Sequence, residues 1–393
     1  MNHDDRISDL ELGERLRLAR ETAKVTQAQA AETIKAARTT IVAIEKGERR
    51  VRIDELQKLA SAFGTNANAL LRREAIHLDL VPQFRRRFDS KDKEIEESSQ
   101  LLNTLVAAEV ELENALGVRR TRFYPPERPI LPGDVATQAE HDANELRRWA
   151  GLGSAPILDI LEFLETQLGV RIYLRPLPSK ISGLFAFDEI AGACMLFNSK
   201  HPAERVQSSG AHEAAHFVSN RRTPEAVLVS DRGQSREERY ANYFSRALLT
   251  PAMTVRQKFS ELTSGQSHLT RRHIIFLASF FGVSREAIVR RLEELELVRK
   301  GTWEWFEENG GITNEQAREV LGEDTVQSLL KARAYGIVPH RLALLAREAC
   351  KRGLYSEGQL AQLLDLDRHE VRAVLDGLDE EVSEADEFSQ IVR

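Results

Sequence analysis

Residues 210–220, GAHEAAHFVSN, carry His212, Glu213 and His216 in the order His-Glu-x-x-His. On a helix, residues four apart share one face, so both imidazoles can approach a single ion. Glu213 then projects about 100° further round the helix, toward a water held by such an ion. That combination suits amide hydrolysis. A metal lowers the pKa of a water, and a carboxylate can take the proton and deliver it to the leaving amine. His212 and His216 are therefore candidate metal ligands, and Glu213 is a candidate general base. Ala211, Ala214, Ala215, Phe217 and Val218 are small or apolar, which predicts a packed helix. Two histidines on a packed helix need partners.

Two histidines leave a metal site incomplete. The segment EERYANYF offers Glu238 as a third ligand, with Glu237 in reserve. Asn242 lies four residues after Glu238 on the same helix face, where it can hydrogen-bond a ligand. Glu238 has a competing use. Ser235-Arg-Glu-Glu238 fits a capping box, in which the Glu side chain bonds back to the start of its own helix.

The elements that must position these residues begin at residue 134. DVATQAEHDANELRRWAGL and PILDILEFLETQLG read as helices, and VRIYLRPL as a strand. ISGLFAFDEIAGACMLFNS reads as two strands joined at Asp188 and Glu189. The His-Glu-x-x-His helix follows, then SREERYANYFSRALLTP, stopped by Pro251. Helix, small antiparallel sheet, helix and helix make an α+β outline. LFAFDEIAGACMLFNS is a candidate edge strand, to which a peptide could be added beside the cleft. His201, Tyr243 and Arg246 are candidates for stabilising a developing oxyanion.

NSKHPAERVQSSGAHEAAHF followed by EERYANYFSRALLTP resembles the ImmA/IrrE family of metallopeptidases. The match runs through Asn198, Pro202 and Arg205, then His212, Glu213 and His216. It continues at Glu238, Ala241, Asn242, Phe244, Leu248, Leu249 and Pro251. The resemblance covers residues 134 to roughly 295. It implies a zincin-like domain with zinc (or manganese) held by His212, His216 and Glu238, and Glu213 as base. It also implies a narrow protein substrate or partner, such as a repressor or a toxin–antitoxin component. The chain departs from the family at QSSGAHE, where an apolar FTLAHE is usual, and at Ser245, where Ala is common.

Residues 10–71 read differently, as short helices with short turns and basic ends. Thr26 is a candidate N-cap, and Gly47 a C-terminal cap. On Gln27, TTIVAIEKGERR and LQKLASAFG, this stretch resembles the phage-repressor/Cro (XRE-type) helix-turn-helix domain. The resemblance places Gln27 near phosphates or base edges, and Arg38, Thr39, Thr40 and Val42 at the start of a recognition helix. A helix entering the major groove meets base edges with its N-terminal residues. Arg49, Arg50 and Arg52 are candidate phosphate contacts. Lys35 stands where the family has Gly in the turn, and Ala37 where it has a capping Ser or Thr.

The chain has 393 residues, 42% hydrophobic and 30% charged, which predicts two or three soluble domains. Two cysteines are too few for a disulfide framework or a cysteine zinc site. No apolar run is long enough to span a bilayer, and the acidic N-terminus does not read as a signal peptide. The expected location is cytoplasmic. Net charge is -6, yet RLRLAR, KGERRVR, RRRF and VRRTR all fall before residue 123, while DEEVSEADEF near the end is acidic.

The expected fold is mainly α, with an α+β zincin-like peptidase domain, an N-terminal all-α helix-turn-helix domain and a helical C-terminal region. The expected division is 8–72 (helix-turn-helix), 73–133, 134–300 (peptidase) and 301–393 (helical, acidic tail). Residues 73–133 are expected to be a helical strut or dimerisation helix followed by an extended linker, YPPERPILPG. In the last part, LTRRHIIFLASFFGVSREAIVRRLEELELV and YSEGQLAQLLDLDRHEVRAVLDGL repeat a helix-turn-helix plan, with Ser356 and Asp367 as N-caps. These units could add DNA contacts or close the peptidase by packing. WEWFEENGGI is a candidate aromatic anchor. The expected function is a homodimeric regulator on a double-stranded DNA operator whose zinc endopeptidase cuts a regulatory protein. The alternative is a regulator or antitoxin whose peptidase-like domain is a metal-dependent sensor without proteolysis.

Overall fold

A computed structural model describes residues 9–63, 65, 70, 80, 93–223, 225–228, 235–264, 269–323 and 338–376. They divide into two compact units, an N-terminal one centred on residues 9–63 and a larger one centred on residues 118–323. The expected helix over NANALL (Leu70 apart), the RRRF cluster and the acidic tail lie outside the described residues.

The N-terminal unit contains α1 (Asp9–Thr22), α2 (Gln27–Thr33), α3 (Arg38–Glu45) and α4 (Ile53–Ala62). Leu16, Ala30, Ile41, Ile44, Leu56 and Leu59 form its core. Thr26 caps α2 by accepting the Gln29 N–H, and Gln29 accepts the Thr26 N–H at 2.9 Å. Gly13 lets α1 lie against α3, because a Cβ there would fall 2.2 Å from the Ile44 carbonyl oxygen. Gly47 follows α3 at φ +69°, as a C-terminal cap requires.

The two family departures sit where the backbone has most to lose. Lys35 holds φ at +55°, a region that disfavours a Cβ. Ala37 begins α3 in an extended conformation with no side-chain cap. Lys35→Gly is expected to gain about 0.5–1 kcal/mol, since relief of the left-handed strain exceeds glycine's extra unfolded entropy. Ala37→Ser should gain about 1 kcal/mol. Urea titration of each variant checks both values.

The remaining elements are α5 (Lys93–Leu116), α6 (Val135–Trp149) and α7 (Ile160–Glu162), which runs into a π-helical segment Phe163–Gln167. Strands β1 (Arg171–Arg175), β2 (Ile181–Asp188) and β3 (Gly192–Asn198) follow, then α8 (Ala203–Ser219), β4 (Glu225–Leu228) and α9 (Arg236–Leu249). After these come α10 (Ala252–Thr263), α11 (Arg271–Phe281), α12 (Arg285–Glu294), α13 (Thr302–Glu308), α14 (Asn314–Leu321), α15 (His340–Lys351) and α16 (Glu357–Leu364). Among the described residues no helix is long and apolar enough to cross a membrane.

The sheet order is β1-β3-β2-β4, and two expectations fail on it. The sheet is mixed rather than antiparallel, because β1 runs parallel to β3 while β2 is antiparallel to both neighbours. The segment expected at the edge is interior. β4 pairs with β2 from Ile181 to Phe185, and β3 is buried along its whole length. A strand buried on both faces reads as a continuous apolar run, which AGACMLFN does. Helix α8 packs on the sheet, α9 packs on α8, and α6 packs on α9, with Ala139, Ala143, Ala211, Ala215, Phe217 and Phe244 in one shared core. Small residues on these helices allow close packing.

The stretch expected to be an extended linker makes many contacts with the larger unit. Residues 118–134 run without regular structure, as the prolines require, but they are tied throughout. The Phe123 N–H donates to the Leu168 carbonyl at 3.1 Å, and the Arg128 N–H to Val218 at 2.8 Å. The Tyr124 hydroxyl accepts the Ala193 N–H at 3.0 Å, and Phe123 stacks on Trp149 at 4.3 Å. Helix α5 likewise spends its apolar face within the chain, with Leu105, Ala108 and Leu112 buried.

Helix α5 also buries Glu109 and Glu113 against a cluster of cations. Arg171 of β1 meets Glu109 at 2.9 Å and Glu113 at 2.7 Å. Arg120 grips Glu109, Arg341 meets Glu113 at 2.9 Å, and the Tyr173 hydroxyl donates to Glu109 at 2.6 Å. Glu165, on the π-helical segment, lies 3.9 Å from Arg120, yet burial pushes its carboxyl up to about 7. The folded state therefore prefers Glu165 protonated, and this group's contribution worsens as pH rises from 4.5 through about 7. Glu165→Gln is expected to remove that slope, leaving the variant more stable by up to about 3 kcal/mol at pH 8 and close to native at pH 5. Thermal melts of the two proteins across that range read the difference.

The C-terminal helices keep their expected plan. Gly282 ends α11 at φ +68°, and Ser284 caps α12. Asp367 accepts the Glu370 N–H at 2.8 Å and heads a further helical stretch. Four arginines of the first of these repeats are engaged within the chain. Arg271 donates to the Gly311 carbonyl and Arg285 to that of Ile312, each at 2.7 Å. Arg290 pairs with Glu304 and Arg291 with Glu140, again at 2.7 Å. This unit packs through its cations. Phe306 is buried in the same core and Trp303 packs against it, while Trp305 is exposed.

Candidate metal centre and nucleic-acid interface

Helix α8 is buried from Ser209 to Ser219, which places His212, Glu213 and His216 inside the domain. The His212 and His216 Nε2 atoms lie 3.2 Å apart. The Glu238 carboxylate of α9 sits 3.3 Å from the first and 3.6 Å from the second. These three residues are the group among the described residues whose donor atoms converge closely enough for a metal. The two Glu238 distances are to different oxygens, Oε2 and Oε1; a tetrahedron with bonds of 2.0–2.1 Å has edges of about 3.3–3.4 Å, which the Nε2–Nε2 and His212–Oε2 separations approach. Two imidazoles and a carboxylate suit a tetrahedral ion with three protein ligands among the described residues.

The competition for Glu238 resolves between two parts of one residue. Its backbone N–H donates to the Ser235 hydroxyl at 3.1 Å, so Ser235 caps α9. Its carboxylate turns to the histidines. Glu237, the reserve, is exposed and outside the cluster.

Glu213 is fully buried, and its Oε1 lies against β2 at Gly183. A Cβ at Gly183 would come within 3.3 Å of that oxygen and 3.0 Å of the Phe197 ring. The glycine thus keeps room for the carboxylate, a role no motif in the sequence announced.

His212, Glu238 and Asn242 line an open cleft of about 1450 Å³, with Ser182 and Arg205 on one side and residues of α6 and α12 on others. Asn242 is on the same wall as Glu238, and its carbonyl accepts the Ser245 hydroxyl at 3.0 Å. Of the oxyanion candidates, His201 lies 3.3 Å from the Ser179 carbonyl, and Arg246 bonds Glu294 at 2.6 Å. Tyr243 lines the cleft, with Arg246 over its ring at 5.2 Å. Asn198 is a structural knot. Its amide donates to the Leu177 and Ile181 carbonyls at 3.2 and 3.0 Å, tying β1 to β2.

In the N-terminal unit, α2 and α3 form a helix-turn-helix. Arg38 and Thr39 are exposed at the start of α3, with Thr40 and Val42 half-buried behind them. A polar chain the sequence did not reveal sets their position. Arg20 of α1 forms a buried pair with Glu45 at 2.5 Å, and Gln27 donates to Glu45 at 2.9 Å. Arg38 donates to the Gln27 side-chain Oε1 at 3.3 Å. Arg49 is held in a fork by Glu55 at 2.9 and 3.1 Å, and that hydrogen-bonded partner lowers the Glu55 pKa. Arg50 and Arg52 are largely exposed.

Residues 165–293 match the family model described as the IrrE N-terminal-like domain, and residues 13–76 match one described as a helix-turn-helix domain. No curated protein matches the chain. The first span contains the converging histidines and Glu238, and the second contains α2 and α3.

Proposed function

We propose that this chain, which carries a helix-turn-helix domain and an IrrE N-terminal-like domain, is a DNA-binding transcriptional regulator with its own zinc-dependent endopeptidase. The supporting observation is the convergence of the His212 and His216 Nε2 atoms, 3.2 Å apart, with the Glu238 carboxylate, whose Oε2 lies 3.3 Å from His212 and Oε1 3.6 Å from His216. Two imidazoles and one carboxylate suit catalytic zinc, and manganese less well. When bound, the ion supplies a Lewis acid and a water of lowered pKa. Glu213 accepts the proton of the attacking water and returns it to the leaving amine. Its buried carboxylate is held beside Gly183, which keeps it aimed rather than solvated. Asn242 steadies the third ligand from the same helix face.

The substrate is a regulatory protein such as a repressor, or a toxin–antitoxin component, met in the cytoplasm. On an operator, Arg38, Thr39, Thr40 and Val42 reach base edges, while Gln27, Arg49 and Arg50 serve the backbone. A homodimer would present two such helices to two half-sites. Tethering the peptidase to DNA raises its effective concentration beside a DNA-bound target.

The test incubates the purified protein with the products of its neighbouring reading frames, with zinc or with chelator, and reads fragments by mass spectrometry. One cut with zinc and none with chelator is expected. A zinc-loaded protein that binds the partner and leaves it intact would replace the peptidase with a metal-dependent sensor.

A further inference from the structure

Helices α6 and α9 run side by side in the same direction. The Arg236 guanidinium of α9 donates to the Gly133 carbonyl just before α6 at 2.9 Å. One step along, the Tyr240 hydroxyl donates to Asp142 at 3.0 Å, and further on Arg147 donates to the Leu248 carbonyl. These ties put His141 level with the turn of α9 that runs from Glu238 to Asn242. Asp142 points into the packed interface and is buried, while His141, about 100° round the helix, shares the face of Thr137 and Asn144 and is exposed in the cleft that holds His212 and Glu238. Packed helices lie about 8–10 Å apart, so an imidazole on α6 can reach a ligand seated over Glu238.

His141 is also spare. It makes no hydrogen bond or ion pair among the described residues and is no member of the converging metal group. Several of its cleft neighbours are occupied, with Glu140 on Arg291, Arg246 on Glu294 and Arg205 on Ser182. It lies before residue 165, outside the span that matches the IrrE N-terminal-like domain.

From this placement we infer that His141 is a substrate contact, donating a ring N–H to the carbonyl oxygen of the peptide bond held at the metal site. The inference rests on the peptidase reading. Negative charge grows on that oxygen as water attacks, and a donor fixed on a rigid helix is worth most there. A histidine also tolerates the exposed cleft wall, where a buried arginine would need a permanent counter-ion.

The test uses the full-length, zinc-loaded protein and an N-phosphoryl dipeptide, whose tetrahedral phosphoryl oxygens carry the charge of the transition state. Binding is measured by calorimetry and zinc by atomic absorption, so neither readout needs the natural substrate. His141→Ala is expected to keep its zinc and to bind the probe about 10-fold or more weakly, the loss of one charge-assisted hydrogen bond. His141→Gln, which retains an N–H donor, should recover most of that affinity. Binding of His141→Ala within twofold of native would overturn the assignment and leave the peptidase reading standing. Loss of zinc from His141→Ala would overturn it too, by making the residue a support of the ion. A native protein that holds zinc and ignores the probe would sink the peptidase reading, and His141's role with it.

Discussion

Glu213→Gln protein is expected to bind zinc as tightly as the native chain and to leave the partner protein uncut. Glutamine matches glutamate in shape, so the pocket between α8 and Gly183 keeps its packing. It has no basic oxygen able to hold a proton at neutral pH. General-base catalysis contributes roughly 10²–10⁴-fold, and the same carboxylate must return the proton to the amine, so the loss should reach the upper end of that range. Zinc content should be unchanged because the proposed ligands, His212, His216 and Glu238, are untouched. The complementary variant separates the two roles. Glu238→Ala should lose both zinc and cleavage, its affinity falling by more than about 100-fold, which is what removing an outer partner of a ligand alone can cost. Its N-cap survives, because Ser235 bonds the backbone N–H of residue 238 and not its side chain. Zinc titration with a competing chelator, beside cleavage followed by mass spectrometry, distinguishes these outcomes. Cleavage by Glu213→Gln at the native rate would remove Glu213 from the mechanism.

The parts of this site that were legible were those fixed by helical period. His212, Glu213 and His216 follow from spacing within one helix, and Asn242 from spacing after Glu238. The use of Glu238 was not legible, because SREE satisfies a cap and a ligand equally well on paper. Only the fold separates the N–H from the carboxylate. Gly183 and His141 were invisible for another reason. Their roles come from elements packed across the domain, β2 against α8 and α6 beside α9, and no local pattern records that pairing. The same limit explains the error at β2. Its neighbour β4 is a four-residue strand, Glu225–Leu228, too short to stand out in the sequence. It also explains helix α5, whose Glu109 and Glu113 resemble a solvated face. Their partners Arg120, Arg171 and Arg341 are scattered along the chain, and burial of charge is readable only once those partners converge.

That convergence carries the other large effect. Arg171→Ala is expected to destabilise the larger unit by about 3–5 kcal/mol, because it strips a buried cation and leaves two buried carboxylates. Arg171 donates to Glu109, to Glu113 and to the Ala191 carbonyl at 3.0 Å, so three acceptors lose a partner at once. Such a loss is comparable to the whole stability of many domains. Arg171→Lys should recover little, since one ammonium cannot span both carboxylates and the carbonyl as the guanidinium fork does. The pH dependence identifies the cause. In the native protein Arg171 and Arg120 hold the Glu109 carboxyl below its ordinary value in spite of burial. The stability this supplies is complete above the unfolded-state value and fades as pH falls through the folded one. In Arg171→Ala the burial remains and one of the two nearest cations is gone, so Arg120 alone holds the carboxyl less far down and less of this stability survives. The gap between the two proteins should therefore be widest near neutrality and shrink toward pH 4–5, about where an unperturbed carboxylate titrates. A cavity left by the missing side chain would cost the same at every pH. Urea unfolding of both proteins across this range decides between them: a gap that does not change with pH would mean Arg171 acts by filling space and not by holding Glu109 and Glu113 ionised.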